Sequence, residues 1–318
     1  MTYLSAQPHF TESWDDICYP VEPVWLADLL PDYDIMATDR QQIVVAQPEG
    51  GRKTILGIQS ADYLIVPNGI IRNVVDELIT EYKLLIKYTT TGEFGIHIIL
   101  PEELVVGGEK LYRSLILINS YNGKTPFSIQ GQTLTGALYN TTSMYRTICQ
   151  NGLMGWADSF TQISTYQDWL VQTTNGKEKK RVMKSQQAQR VSGQREEVKS
   201  TPARFNQDNL HQQLSELLSG YLNAKPALTA SVYEHLQQTY VGKSDDILRK
   251  LPIPVQLAKQ AQERLRLEER LLQSDPSYWL MYNAVNHALF NARSSLTLND
   301  RYRLDERVFH QLAARSFA

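Results

Sequence analysis

The sequence predicts an α+β fold, in which an antiparallel β-meander with packed helices is followed by a mostly helical C-terminal part. Between residues 83 and 133, short runs rich in β-branched and aromatic residues alternate with glycine turns, which is typical of antiparallel strands. From about residue 206 onward, apolar residues recur at helical spacing among strong helix formers. The chain has 318 residues, enough for one large domain or two modest ones.

The first 42 residues are predicted to be an N-terminal arm packed on the main domain. They are rich in Pro, Trp, Tyr and Asp, and "YPVEPVWLADLLPDYDI" allows one short helix between prolines at most. The start of the chain has no basic segment followed by an apolar run, and no later apolar run has the length that a bilayer requires. We therefore expect a cytoplasmic protein that does not contact a membrane.

Residues 43–175 are predicted to form an α+β core domain. Two apolar runs, "IVVAQ" and "TILGIQ", flank a Gly-Gly turn and indicate a β-hairpin. A helix follows, because apolar residues between Ile70 and Ile79 share one helical face. The meander comes next, with the strand candidates "YKLLIKYTTT", "EFGIHIILPEEL", "EKLYRSLILINSYNG" and "TPFSIQGQTL". Its outward positions include Lys83, Lys87, His97 and Arg113.

The stretch "TTSMYRTICQNGLMGWADSF" is predicted to be a helix that begins at Thr142 or Ser143 and stops at Asn151-Gly152. On this interpretation Cys149 packs inward as a small core residue. A catalytic Cys149 would need an oriented His beside it, and the six histidines show no local signature. The packing interpretation is preferred, and the enzymatic one stays open.

Residues 176–205 are predicted to be a basic flexible connection. This segment carries a formal charge of +6, whereas the whole chain carries −2. Such asymmetry favours contact with an anionic partner, of which nucleic acid is the commonest. A solvated linker is the alternative explanation.

Residues 206–318 are predicted to be a helical C-terminal region. In the helix after "LPIP", Glu263, Glu268 and Glu269 alternate with Arg264, Arg266 and Arg270, which is typical of a solvated, ion-paired face. The next helix is expected to be capped by Asp275, with Trp279, Leu280, Ala284, Val285, Ala288 and Leu289 on its core face. Its other polar residues are Asn283, Asn286, His287 and Asn291, which could bind a ligand, face water or form a buried network.

No catalytic, metal or nucleotide motif is present in the sequence. It contains no G-x-S-x-G elbow, no H-E-x-x-H and no P-loop, and Cys18 and Cys149 form no C-x-x-C pair. We therefore expect reduced thiols and no cofactor, and we do not predict an enzyme.

Several stretches resemble the phage/plasmid-like proteins of the "domain of unknown function 932" family: "ILGIQSADYLIVPN", "LILINSYNGKTPFSI", "RTICQNGL" and "YWLMYNAVNHALF". The matching positions are Leu56, Gly57, Tyr63, Asn68, Arg146, Cys149, Asn151, Asn283 and Ala284. The resemblance covers residues 43 to 293 and departs at Gly152, where the family has a Thr, and at His287, which comes early. It implies residence on phages, plasmids or integrated elements and a link to DNA maintenance, without an established activity. The predicted topology also resembles the core of single-strand annealing proteins, which pair complementary strands as oligomeric rings.

These observations lead to the hypothesis of a mobile-element protein that binds single-stranded DNA and anneals complementary strands without nucleotide hydrolysis, as a homo-oligomer. Aromatic side chains among basic sheet positions would suit such a ligand. The residues expected to contact it are Lys177, Lys179, Lys180, Arg181 and Lys184 of the basic connection, Arg146 of the predicted helix, and Lys83, Lys87 and Arg113 of the sheet. The alternative is a non-enzymatic interaction or structural component of a phage or plasmid system, with the C-terminal helices as its partner surface.

Overall fold

A computed structural model describes residues 9–29, 32, 41–48, 51–61, 63–130, 132–133, 142–148, 151–174, 209–224, 227–292, 294, 296 and 298–318. Antiparallel sheets occupy the first half of the chain and helices dominate the second, which confirms the predicted α+β class. Among the helices in these ranges, none is long and apolar enough to cross a membrane.

Eleven strands and nine helices make up this described part of the chain. The strands are β1 (His9–Thr11), β2 (Val21–Trp25), β3 (Gln41–Ala46), β4 (Thr54–Ser60), β5 (Lys83–Tyr88), β6 (Glu93–Val106), β7 (Glu109–Ser120), β8 (Ser128–Ile129), β9 (Gln132–Thr133), β10 (Ser143–Arg146) and β11 (Asn151–Met154). The helices are α1 (Leu26–Leu29), α2 (Asn68–Leu78), α3 (Ile163–Thr174), α4 (Leu210–Asn223), α5 (Ala227–Gln238), α6 (Ser244–Leu248), α7 (Val255–Leu272), α8 (Tyr278–Asn291) and α9 (Leu298–Ser316).

The larger sheet has the hydrogen-bonding order β1-β5-β6-β7-β10-β11, with β8 pairing to β7 and β9 pairing to β8. The smaller sheet has the order β2-β3-β4 and is antiparallel throughout. The predicted β3–β4 hairpin, the predicted helix α2 and the predicted meander β5–β6–β7 are therefore confirmed.

The arm predicted over the first 42 residues contributes more regular structure than one short helix. Strand β1 pairs with β5, and β2 pairs with β3, so both strands extend sheets. These strands escaped prediction because β1 has only three residues and Pro23 interrupts the apolar pattern of β2.

The chain divides into two compact units, each built from discontinuous segments. Unit 1 takes its described residues from Met1–Pro101, Leu115–Leu138 and Pro202–Asn223. Unit 2 takes them from Glu102–Ser114, Tyr139–Thr201 and Ala224–Ala318. The four-part division along the sequence, with boundaries after residues 42, 175 and 205, stays a prediction.

Unit 1 has a core between its sheets and two helices. Helix α2 buries the apolar face that its spacing predicts, and α4 packs on it. The central residues of this core are Ile71, Val74, Val75, Ile86, Phe94, Ile96, Ile98, Leu214 and Leu218. Because β5 and β6 alternate these residues with outward ones, one sheet face of unit 1 packs on the helices.

Unit 2 has a mainly helical core around α8. This helix is buried on nearly all sides, from Trp279 to Leu289 with the exception of His287, so its predicted core face is confirmed. Ser277, and not Asp275, caps it, since the Ser277 hydroxyl accepts a hydrogen bond from the amide of Leu280 at 3.2 Å.

The prediction of a helix around Arg146 is wrong. Residues Ser143–Arg146 form β10, which pairs antiparallel with β7 on one side and with β11 on the other. Asn151 opens β11 opposite Arg146, so the Asn-Gly step follows a hairpin turn and does not end a helix. The sequence "SMYR" has no strand alternation because all four side chains are buried, which is a tertiary effect. Cys149 lies outside the described residues.

Candidate nucleic-acid interface

Five of the nine predicted contact residues lie outside the described part of the chain. These are Lys177, Lys179, Lys180, Arg181 and Lys184 of the basic connection. Their contribution to a nucleic-acid interface stays a prediction. The other four are distributed over both units, with Lys83 and Lys87 in unit 1 and Arg113 and Arg146 in unit 2.

Arg146 cannot contact a phosphate in this structure, because its side chain is 0% exposed. Its Nε lies 2.7 Å from Glu109 Oε1, and its Nη1 lies 2.6 Å from Glu268 Oε2. The guanidinium also lies 6.0 Å from the ring centre of Trp279, whose indole N–H donates to Glu109. The predicted role for Arg146 is therefore corrected: its charge is matched inside unit 2, since a buried charge requires close counter-charges.

Glu268 departs from the solvated helix face that the charge run predicts. Its side chain is fully buried and bridges Arg146 to Arg264, whose Nε lies 2.7 Å from Glu268 Oε1. Its neighbour in the same run, Arg266, has the expected exposed ion pair with Asp245. Helix α7 thus directs Glu268 inward with Arg264 largely buried beside it, whereas Glu263, Arg266 and Arg270 of the same run are exposed.

Arg113 is also largely buried, with 8% of its surface exposed. It donates to Glu102 at 2.9 Å and to the carbonyl oxygen of Ala224 at 2.6 Å. A cation held in this way inside unit 2 offers little to an external phosphate, so Arg113 is corrected from an outward position to an anchoring one.

Lys83 and Lys87 lie on the outward face of β5, as the strand alternation predicts. The intervening Leu84 and Ile86, together with Tyr88, pack into the unit 1 core. Lys83 is exposed, and the Lys87 ammonium lies 5.4 Å from the ring centre of Phe10. The two lysines are four residues apart on one strand, which separates their Cα atoms by about 13 Å.

Phe10 is the functional candidate that sequence reasoning missed. It lies on the edge strand β1, pairs with Lys87 on β5, and is 59% exposed, although Phe is among the residues most often buried. Strand alternation in the sequence is the pattern that could have identified Phe10 as a sheet residue. This pattern is weak here, because β1 has only three residues.

Gly95 of β6 is the antiparallel partner of Lys87 on the other side of β5. A Cβ added to Gly95 would have one neighbour within 4 Å, the Lys87 carbonyl oxygen at 3.8 Å, which is an ordinary van der Waals contact, so a Cβ fits at this position. Directly paired residues of antiparallel strands point to the same sheet face. Phe10, Lys87 and Gly95 therefore form one transverse row, which we name the Phe10 row.

His97 lies beside this row on β6, opposite Leu85. Burial, with a smaller contribution from the charge of Lys87, lowers the pKa of His97 to about 4. The imidazole is therefore neutral at neutral pH, and the positive charge of this face comes from Lys83 and Lys87.

The predicted polar row of α8 is a buried network at two of its positions. Asn283 donates to the carbonyl oxygen of Trp279 at 2.8 Å, and Asn286 donates to Asp305 at 3.0 Å. Asp305 also accepts hydrogen bonds from Trp156 and Tyr282. Asn283 and Asn286 are fully buried, so their side-chain amides form hydrogen bonds within the core of unit 2.

Two features of the described residues bear on catalytic chemistry. No group of three or more His, Cys, Asp or Glu residues there is arranged to hold a metal ion. Burial raises the pKa of the Cys18 thiol to about 11, which keeps it protonated at neutral pH.

No family model, curated protein or solved structure matches this chain. The resemblance to the phage/plasmid-like family and to single-strand annealing proteins therefore stays a prediction. The candidate interface rests on the residues themselves, above all on the Phe10 row and Lys83.

Proposed function

We propose that this protein binds single-stranded DNA as part of a phage or plasmid-like mobile element. The observation that carries the proposal is the exposed Phe10 ring beside the Lys87 ammonium on the outward face of a sheet. Proteins that bind single strands combine cations that follow the backbone with aromatic rings on which bases stack. Phe10 and Lys87 supply one of each, and Lys83 adds a second cation on the same strand face.

The basic connection extends this interface in the proposal. Lys177, Lys179, Lys180, Arg181 and Lys184 would hold the phosphate backbone while the sheet face receives part of the strand. Because the bases of the bound strand stay unpaired, a complementary strand can anneal to it. The sequence has no nucleotide-binding motif, so annealing proceeds in this proposal without nucleotide hydrolysis. A homo-oligomer would hold a longer strand than one copy can.

The salt dependence of binding tests this proposal. Each phosphate contact on a single strand contributes about −0.7 to the slope of log K against log salt. We expect the double variant Lys83→Ala/Lys87→Ala to bind a fluorescent oligonucleotide with a slope shallower by about 1.4. For the variant with all five basic-connection residues changed to Ala, the slope should become shallower by up to about 3.5. Fluorescence anisotropy over a range of salt concentrations measures both slopes.

The matched control is Lys53→Ala/Lys110→Ala, which removes the same charge from two other surface positions, one just before β4 and one in β7. Lys53 pairs with Glu22 and Lys110 pairs with Glu103, both on the surface. This variant should keep the wild-type slope. The proposal fails if no salt-sensitive binding occurs at low ionic strength, or if both lysine pairs change the slope equally.

A second candidate function is a protein-interaction component, and exposed apolar residues at the end of α7 favour it. Leu267, Leu271 and Leu272 are exposed near the C-terminus of this helix, although leucine is usually buried. Light scattering and a pull-down from host extract distinguish the candidates. This second function would be favoured if the wild type binds a protein partner stoichiometrically and binds no oligonucleotide. The variant Leu267→Glu/Leu271→Glu should then lose binding to that partner.

A further inference from the structure

We infer that the Phe10 row is a binding site for one unpaired nucleobase, which stacks on Phe10 and extends toward Gly95, where the row has no side chain. This inference rests on the proposed function and deepens it, because it assigns base contact to the row and phosphate contact to the lysines. It also assigns the preference for single strands over duplex to one aromatic residue.

The dimensions of the row suit a planar ring. Neighbouring strands are about 4.8 Å apart, so a row across β1, β5 and β6 spans about 10 Å. Phe10 stands at one end of this row and Gly95 at the other, with Lys87 between them. Any side chain in place of Gly95 would occupy the space directly beside Lys87 on the same face.

The chemistry of the row also suits a nucleotide. An exposed aromatic ring offers a π-face to a base regardless of its sequence. The Lys87 ammonium, 5.4 Å from the ring centre, is close enough to reach the phosphate of the same nucleotide. Duplex DNA keeps its bases stacked within the helix, so a ring on an open sheet gains contact only with an unpaired base.

A purely structural explanation of Phe10 makes a different prediction. The aliphatic stem of Lys87 can cover part of the ring, as lysines commonly do on apolar surfaces. On this explanation, Phe10→Ala lowers the stability of the edge strand and leaves DNA affinity unchanged. Measurements of binding and of unfolding on the same variants therefore separate the two explanations.

The experiment compares oligo(dT) with an abasic oligonucleotide of the same length, using fluorescence anisotropy on the full chain. Stacking of one base contributes the equivalent of roughly a 5- to 150-fold change in affinity. We expect Phe10→Ala to weaken oligo(dT) binding by a factor in that range and to leave abasic binding unchanged. The salt slope should stay at the wild-type value, because no phosphate contact is removed.

Gly95→Val is the second variant, and it is designed to fold. A Cβ at this position makes one ordinary contact, at 3.8 Å with the Lys87 carbonyl oxygen, and valine favours extended backbone more than glycine does. We expect the urea unfolding midpoint to stay constant or rise, while oligo(dT) affinity falls and abasic affinity does not. A stable variant that loses base-dependent binding supports a base-binding site directly.

Four outcomes overturn the inference. If Phe10→Ala and Gly95→Val bind oligo(dT) as the wild type does, with salt-dependent binding intact, the base-binding site is absent and the proposed function survives. If both variants weaken oligo(dT) and abasic binding equally, the row does not contact a base. If the wild type prefers duplex to single strands, the assigned selectivity is wrong. If the wild type binds no oligonucleotide, the proposed function falls with the inference.

Discussion

Arg146 illustrates how the role of a single residue depends on its burial. Its guanidinium lies between Glu109 and Glu268 without any exposed surface. Removal of one partner from a buried ion pair leaves an uncompensated charge, which costs about 3–5 kcal/mol. We expect Arg146→Met to lower the free energy of unfolding by this amount, as measured by urea denaturation.

The control for this substitution lies on the same helix as Glu268. Arg266 forms an exposed pair with Asp245, so Arg266→Ala should cost no more than about 1 kcal/mol. The double variant Arg146→Met/Glu109→Gln should recover part of the lost stability, because it removes a largely buried carboxylate that no longer has Arg146 beside it. Equal costs for Arg146→Met and Arg266→Ala would contradict a structural role for the buried charge.

Sequence alone predicts some of these residues better than others. The sequence predicts the outward orientation of Lys83 and Lys87 on β5, because strand alternation is a local pattern. The environment of Arg146 depends on Glu268, which is 122 positions away along the chain. No local pattern encodes such a contact, and the same is true of the pairing between Phe10 and Lys87.

At the scale of elements, two turns of the meander place glycine in a left-handed backbone conformation. Gly92, in the turn between β5 and β6, has φ of 83°, and Gly108, between β6 and β7, has φ of 84°. A residue with a Cβ in this left-handed region costs about 1–2 kcal/mol. The two turns provide a matched pair, since they differ in the space around the glycine.

We expect Gly92→Ala to destabilise the protein more than Gly108→Ala. A Cβ at Gly92 would lie 2.9 Å from Leu56 Cδ1, whereas a Cβ at Gly108 would meet nothing within 4 Å. Gly108→Ala should therefore lower the free energy of unfolding only through the strained left-handed backbone, by about 1–2 kcal/mol. Urea denaturation of both variants gives the comparison. A larger loss for Gly108→Ala would show that packing against Leu56 does not matter.

The elements that escaped prediction are those whose conformation is set by their neighbours. Strand β10 lies between β7 and β11, and this pairing outweighs the helical pattern of "MYRTICQN". Strand β1 pairs with β5, which lies more than 70 positions further along the chain. The sequence predicts long segments such as α2, α7 and α8, because the spacing of their own apolar residues indicates which face is buried.

At the scale of the whole molecule, two buried titrating groups make the two units respond to pH in opposite directions. Burial raises the pKa of Asp305 in unit 2 to about 6, despite hydrogen bonds from Trp156, Asn286 and Tyr282 that favour the carboxylate. Burial and Lys87 lower the pKa of His97 in unit 1 to about 4. Between pH 4 and pH 6, the folded state therefore binds more protons at Asp305 and fewer at His97 than the unfolded chain does.

The signs of the two contributions follow from this difference. The raised pKa of Asp305 means that its contribution to stability falls as pH rises from about 4 to about 6, by about 3 kcal/mol. The lowered pKa of His97 means that its contribution rises over about pH 4 to 6.5, by about 3 kcal/mol. In the wild-type chain these two contributions largely cancel.

Single substitutions should reveal each contribution. We expect the stability of Asp305→Asn to rise more steeply with pH than that of the wild type between pH 4 and pH 6, because the opposing Asp305 contribution is removed. The stability of His97→Gln should instead fall with pH relative to the wild type over the same range. Urea denaturation at successive pH values measures the difference between each variant and the wild type, so a constant loss of packing shifts the curve without changing its slope. If both differences are independent of pH, neither group titrates in the folded protein as its buried environment requires.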